Sequence, residues 1–372
     1  MEPKDPGGDR VVRFFRDQLK HTKGTFAGQP FDPLPWQDAL LRGIFGPLKD
    51  GRRIIREAYV ECGKKQGKAL ALDTPIPTPA GFLVMADIEV GDLVFDETGA
   101  PTKVVATSEV LTDRPSYLVM FSDGAHCYCD EEHEWVTWSL RAHGYGRYTT
   151  REIAATIGNR ADGARNHSVD IAGPVACPEA DLPIQPYTLG AWLGDGNTAN
   201  AGFTCHDDDG PTILEHIRSD GYAAIKGKQP SFYWLGGNGR SQEGRNRSLQ
   251  AKLRHAGLLG AKHIPTAYLW ASIAQRTALL QGLMDTDGYC AKDGQCEFTS
   301  VKARLAEDVL CLVRGLGFKA SLKTGRAILH GRDCGPKYRI RFFAFSDRPV
   351  FRLARKRQRQ KVVLYRGCCG LC

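Results

Sequence analysis

No stretch of this 372-residue chain approaches the roughly 20 consecutive apolar residues that a membrane-spanning helix needs. The N-terminus, Met1-Glu-Pro-Lys-Asp-Pro-Gly-Gly, is polar and has no apolar signal core, so export is not expected. The 12 cysteines form no disulfide framework: Cys62, Cys177, Cys205, Cys290, Cys296, Cys311 and Cys334 are scattered singly, which reads as reduced, intracellular thiol. Cys369 and Cys372 have zinc-ligand spacing, but no clear second pair completes four ligands. Nor is the chain basic throughout. Between Lys337 and Arg366 stand eleven basic residues and one acid (Asp347), a net of +10; against the overall +8, that leaves −2 for the remainder. The charge is one segment, of the kind that meets phosphate or another polyanion, with a solvated basic tail as the alternative.

What remains is a chain able to bury cores, with 42% hydrophobic and 25% charged residues, and 41 Gly and 20 Pro favour turn-rich architecture over long helices. Its length suits two or three domains. In residues 1–68, Trp36, Ala39, Leu40, Leu41, Ile44 and Phe45 recur at helical spacing. Ile54–Val60 reads as a strand, followed by Glu61-Cys-Gly-Lys-Lys-Gln-Gly67-Lys68. A strand followed by a loop ending in Gly-Lys is how a nucleotide phosphate loop begins: backbone N–H groups wrap the phosphates and the lysine reaches their outer oxygens. The hydroxyl that should follow, to ligate magnesium, is replaced by Ala69, and Cys62 stands where the first glycine belongs. Pro35-Trp36-Gln37, Gly51-Arg52-Arg53 and Lys64-Lys65-Gln66-Gly67-Lys68 together resemble the start of a terminase large subunit, a DNA-packaging ATPase, over about residues 20–68. A working ATPase also needs a later acidic pair, and nothing after residue 69 continues that fold.

From Leu70 the texture changes to short β-type runs with turn punctuation, implying an all-β domain to about residue 180. Leu70-Ala-Leu-Asp-Thr-Pro-Ile-Pro-Thr-Pro-Ala-Gly-Phe82, Val90-Gly91-Asp92 and Asp130-Glu-Glu-His133-Glu-Trp135 resemble the first motifs of an intein, the self-splicing Hint domain. The resemblance implies acyl transfer at a junction between Lys68 and Ala69, with His133 protonating the leaving amide and Asp130 accepting a hydrogen bond from it. Ala69 lacks the usual nucleophile; Trp135, two residues after His133, matches inteins that begin with another residue and use a Trp, a late Cys and a final Thr as a linked set. The family's closing His-Asn is absent after residue 166, so splicing is expected to be inactive in the chain as written.

Two later segments echo one another. Tyr187-Thr-Leu-Gly-Ala-Trp-Leu-Gly-Asp195-Gly196 and Leu279-Leu-Gln-Gly-Leu-Met-Asp-Thr-Asp287-Gly288 are apolar helices ending in Asp-Gly, 92 residues apart. A helix C-terminus disfavours an anion, so each carboxylate benefits from a cation. Small residues at 190, 191, 194 and 282 would let the helices pack closely and bring Asp195 and Asp287 together as a magnesium site suited to phosphodiester hydrolysis. The segments resemble the paired motifs of a LAGLIDADG homing endonuclease, and Lys262-His-Ile-Pro265 matches the motif whose lysine polarises the attacking water or phosphate. The resemblance implies two pseudo-repeats: Pro211–Arg218 answers Leu305–Gly315 as helices, and Phe232–Leu235 answers Tyr338–Ala344 as strands. Arg339 and Arg341, on one strand face, with Arg352, Arg355, Lys356, Arg357 and Arg359, are the expected contacts to the DNA backbone.

The expected protein is therefore multidomain: a short α/β P-loop ATPase start (1–68), the N-terminal half of an all-β Hint domain (69–180), an α+β LAGLIDADG endonuclease of two helix-strand-helix repeats (181–350), and a basic tail (351–372). Its expected partner is a double-stranded DNA homing site and its cofactor Mg2+ or Mn2+. Both motifs lie in one chain, which implies a monomer, and the whole implies a phage-type gene product in a bacterial cytoplasm.

Overall fold

The structure is a computed structural model; it describes residues 6–20, 33, 35–49, 52–53, 70–157, 165–236, 248–362 and 368–370. The chain divides into two compact units, Met1–Gln66 and Gly67–Cys372. In the first, α1 (Pro6–Gln18) and α2 (Pro35–Phe45) pack together, Arg42 pairing with Asp38 one turn earlier and with Asp9 of α1, and β1 (Leu48–Lys49) pairs with β2 (Arg52–Arg53). The strand expected over Ile54–Val60, and Gly67, Lys68 and Ala69, lie outside the described residues.

The second unit opens with β hairpins. β3 (Pro75–Thr78) pairs with β4 (Gly81–Val84), and β5 (Leu93–Phe95) with β6 (Pro101–Lys103). β7 (Ser116–Met120) pairs with β8 (His126–Asp130), and the first described residue of this unit is stitched to β8 where Leu70 bridges Cys129. β9 (Glu134–Ser139) and β10 (Gly144–Thr149) follow, then α3 (Thr150–Thr156), whose start is fixed by a capping box between Thr149 and Glu152. β11 (His167–Asp170) completes the sheet order β10-β9-β11. A small core of Val119, Cys129 and Ile153, flanked by Tyr117, Phe121 and Trp135, holds these layers.

The larger core belongs to the helical part. Pro186 starts α4 (Pro186–Asp195), which leads to β12 (Gly202–Thr204), α5 (Gly210–Ser219), β13 (Ala224–Lys226), β14 (Phe232–Leu235) and α6 (Leu249–His255). After α7 (Thr266–Leu269), the sequence of elements recurs as α8 (Ile273–Thr286), β15 (Gly288–Cys290), β16 (Gln295–Ser300), α9 (Ala303–Gly315), β17 (Ala320–Leu329) and β18 (Arg332–Phe343), closed by α10 (Ala354–Arg357). The first sheet runs β12-β14-β13 and the second β15-β16-β18-β17, so β14 and β18 hold equivalent central places. Within β18, Ile340 and Phe342 are buried while Arg339 and Arg341 turn to the opposite, half-exposed face. The last described strand, β19 (Cys368–Gly370), pairs antiparallel with β11. Among the described residues, no helix is long and apolar enough to cross a membrane.

Candidate active site

The two Asp-Gly helices meet through their glycines. A methyl group built on Gly190 of α4 would press closer than 3.0 Å on the Leu279 carbonyl oxygen of α8, and one built on Gly282 would press equally on the Tyr187 carbonyl oxygen. Positions 187 and 279, like 190 and 282, are 92 residues apart, so the contact is reciprocal about a local two-fold axis. No side chain fits there, which is why the backbones come into contact and why both helices deliver their last residues to one place. Asp195 is the final residue of α4; Asp287 is the C-cap of α8.

The two carboxyls are in hydrogen-bond contact, Asp195 donating to Asp287. Burial and the neighbouring Asp287 charge push Asp195 up to about 7, against the pull of Lys262 and Lys356. Asp287 is also raised by burial, while Lys262, the hydrogen bond from Asp195 and Lys356 pull it down; one side of it stays exposed. A shared proton between two close carboxyls is the metal-free answer to like-charge repulsion. An oxygen-only donor pair of this kind fits a hard divalent cation that keeps most of its waters.

Two lysines frame the pair. Lys262, on the loop before α7, donates to the Gly194 carbonyl oxygen at 2.8 Å and lies over the Trp192 ring at 5.2 Å. Burial pushes its ammonium down to about 8, against the attraction of Asp287 and Asp195. Lys356 of α10 is buried and donates to the carbonyl oxygens of Met284 (3.0 Å), Asp285 (2.7 Å), Thr286 (3.1 Å) and Gly288 (2.7 Å). Each Asp-Gly helix thus ends on a lysine that neutralises its terminal carbonyls.

That placement corrects the reading of the basic segment. Lys356 faces inward rather than toward a phosphate. Arg355 is paired with Asp209 at the start of α5, and Arg352 donates to Gln281 at 2.8 Å with its guanidinium 4.2 Å over the Tyr187 ring. Arg359, though exposed, donates to the Cys290 carbonyl at 3.1 Å; Arg357 is exposed. Apart from Arg357, these cations tie the tail to a helix-rich core with surplus carbonyls and carboxylates. Arg339 and Arg341 are instead on the open sheet face: Arg339 sits between Thr299 of β16 and Lys323 of β17, and Arg341 pairs with Glu297 at 2.6 Å. Lys323 was not singled out in the sequence, because its face is set only by the β17–β18 register. Lys356 did leave a trace: it follows Lys262 by 94 residues, close to the 92 that separate the two motifs.

In the β-rich part, Asp130 is buried and already engaged, with Arg114 at 2.9 Å and the Glu132 amide at 3.1 Å. Its Oδ2, though it faces Arg114, receives no hydrogen bond, so one acceptor position remains. His133 stands edge-on to Trp135, ring centroids 4.8 Å apart, and Trp135 donates to Thr150 Oγ1 at 3.0 Å. Thr150, buried and unremarked in the sequence, also bonds the His133 carbonyl (3.2 Å) and meets Cys129 Sγ at 3.3 Å. The Leu70–Cys129 bridge brings the residue after Ala69 to the end of the same strand that carries Asp130.

Residues 274–343 match the LAGLIDADG-like domain family. The chain carries such a domain, spanning α8 to β18. The replicative DNA helicase DnaB of Mycobacterium intracellulare is 38% identical over 309 residues, 78% of this chain and 49% of the helicase. The homothallic switching endonuclease of Saccharomyces cerevisiae is 25% identical over 175 residues, 39% of this chain and 30% of that protein. Among solved structures, the zinc-bound Msm DnaB1 intein splicing domain is 44% identical, covering 22% of this chain and 68% of that one with a TM-score of 0.19. The chain spans about half the length of the M. intracellulare helicase. None of these relatives is a terminase, and they give the terminase reading of residues 20–68 no support.

Proposed function

We propose that the LAGLIDADG-like part is a site-specific, metal-dependent DNA endonuclease embedded in an intein-type splicing element. The observation that carries this reading is the Asp195–Asp287 pair, set at the ends of two helices in reciprocal contact and framed by Lys262 and Lys356. The open face bearing Arg339, Arg341 and Lys323 supports a duplex as the substrate, its cations meeting backbone phosphates. Asp195 and Asp287 would hold Mg2+ or Mn2+, which when bound supplies charge neutralisation at the scissile phosphate. Lys262, with its depressed ammonium, is placed to hold or pass a proton beside that pair. The decisive experiment exposes a randomised duplex library to the full chain with and without Mg2+. Recovery of one recurrent cleaved sequence, dependent on Mg2+, is the expected result; its absence under both conditions sinks the reading.

The splicing reading is supported by the Leu70-to-Phe82 and Asp130-to-Trp135 phrases and by the His133–Trp135–Thr150 cluster beside the chain segment that begins at Leu70. His133 would protonate the leaving amide at the Lys68–Ala69 junction, and Trp135 would hold its ring in place. With Ala69 offering no nucleophile, the chain as given should stay whole on expression, and a mass spectrum showing a fragment beginning at Ala69 would overturn that. For the interrupted host, Pro35-Trp36-Gln37 and Lys64-Lys65-Gln66-Gly67-Lys68 support an ATPase start of terminase type, with Gly67 and Lys68 as the remnant phosphate contacts, whereas the helicase relative favours DnaB. The gene sequence beyond codon 372 distinguishes them by which remainder it encodes. A cytoplasmic, monomeric protein fits this reading.

A further inference from the structure

Among the buried positions at which the two motif copies differ, one exchanges an apolar side chain for a carboxylate. Asp285 in α8 is 1% exposed, and 92 residues earlier the equivalent residue of α4 is Leu193, also 1% exposed. Helix packing at this point is therefore served by an apolar side chain in one copy, and a carboxylate in the other requires a separate reason. Its oxygens accept from the Tyr187 hydroxyl at 2.8 Å and from the backbone amides of Arg352 and Leu353, each at 3.0 Å. Leu353 is the N-cap of α10, one turn before Lys356. We propose that Asp285 is a positioning residue: by clamping the 352–353 amides it seats α10 so that the Lys356 ammonium reaches the carbonyls at the end of α8, beside Asp195 and Asp287.

The other copy solves the same problem with different residues. The Lys262 loop is held where the Ile264 amide donates to Asp308 at 2.8 Å. Each framing lysine thus has its backbone fixed by a carboxylate from another element: Asp308 of α9 for Lys262, Asp285 of α8 for Lys356. A buried carboxylate satisfied by two amides and a hydroxyl defines direction more sharply than apolar contact, because each donor must point at it.

The test labels the full chain with an amine-acetylating reagent and reads each lysine by mass spectrometry. In the unaltered protein Lys356 should be protected. In D285N its labelling should rise at least ~10-fold while Lys262 stays unchanged, the signature of a local opening. Y187F, which removes the α4 donor and leaves both amide bonds, should keep Lys356 protected. Should D285N not fold cooperatively, L353P takes its place: the φ of −62° at Leu353 accommodates proline, and the substitution deletes one clamped amide. Protection of Lys356 in D285N, or in L353P where that replaces it, or equal exposure in Y187F, overturns the proposal. The kinetic counterpart rests on the nuclease reading: D285N should slow single-turnover cleavage without weakening DNA binding, and D285N/K356A should be no slower than K356A, whereas additive losses would contradict action through Lys356. If the unaltered chain cleaves nothing, the nuclease reading fails while the labelling result still decides the clamp.

Discussion

At the scale of single residues, Asp195 and Asp287 hold the molecule's chemistry and also one of its weaknesses. Asp195 keeps its proton to about pH 7 in the folded protein, while a carboxyl in the unfolded chain releases it near 4. Between those values the folded state binds more protons, so metal-free stability falls as pH rises from about 4 to about 7 and stays reduced above. D287N removes the partner charge, so metal-free D287N should melt a few degrees higher than the unaltered protein at pH 8, on the order of 2–4 °C. Calorimetry checks this, and a lower melting point would count against the pair. The same substitution should cut Mg2+-dependent cleavage by more than ~100-fold while leaving DNA binding in place. Arg276 is another buried charge, and it donates to carbonyls: Ala271 at 2.8 Å, Gly315 at 2.9 Å, and Val175. R276A would take a donor from all three acceptors, leaving the Gly315 and Val175 carbonyls only the Val175 and Cys177 amides, and would empty a buried site; it is expected to cost roughly 3 kcal/mol or more in urea unfolding.

At the scale of elements, the α4–α8 contact depends on the absence of side chains. G282A forces a methyl into the Tyr187 carbonyl and G190A into that of Leu279. Either should destabilise by several kcal/mol, ~3 or above, because backbone on both sides cannot yield. T149A removes the α3 cap, with an expected loss of ~1 kcal/mol. Urea titration measures all three, and a neutral G282A would mean the helices do not meet as described. The motif glycines were legible in the sequence as small residues for close packing. Their reciprocity was not, because it depends on which face each helix turns to the other.

At the scale of the whole molecule, the second unit joins its β-rich and helical parts by specific contacts. Arg314 of α9 reaches Asp123 at 3.0 Å, Lys319 bonds Ser122 at 2.9 Å, and Phe82 meets Trp270 edge-on at 5.1 Å. The basic segment holds the helical part together instead: much of its +10 is directed at carbonyls, Asp209 and Gln281 there. Salt dependence of DNA binding should therefore respond to the sheet face and little to the tail. R339A and K323A should each lower the slope of log affinity against log salt by about 1, and R355A by much less. Equal effects from all three would restore the tail as the main phosphate contact.

By itself, the sequence determined that two Asp-Gly helices recur 92 residues apart, that a β-type region beginning at Leu70 precedes them, and that the charge is confined to one segment. Those features live in spacing and composition, which one chain displays directly. Only the tertiary structure decided where the charge goes. A lysine written beside two arginines is the same symbol whether it meets solvent or four buried carbonyls, and the difference arises from α10 docking on the end of α8. The role of Asp285, legible only as a motif letter, and that of Thr150 were hidden for the same reason: each takes its meaning from donors and acceptors far away in the chain, which pattern along the sequence does not record.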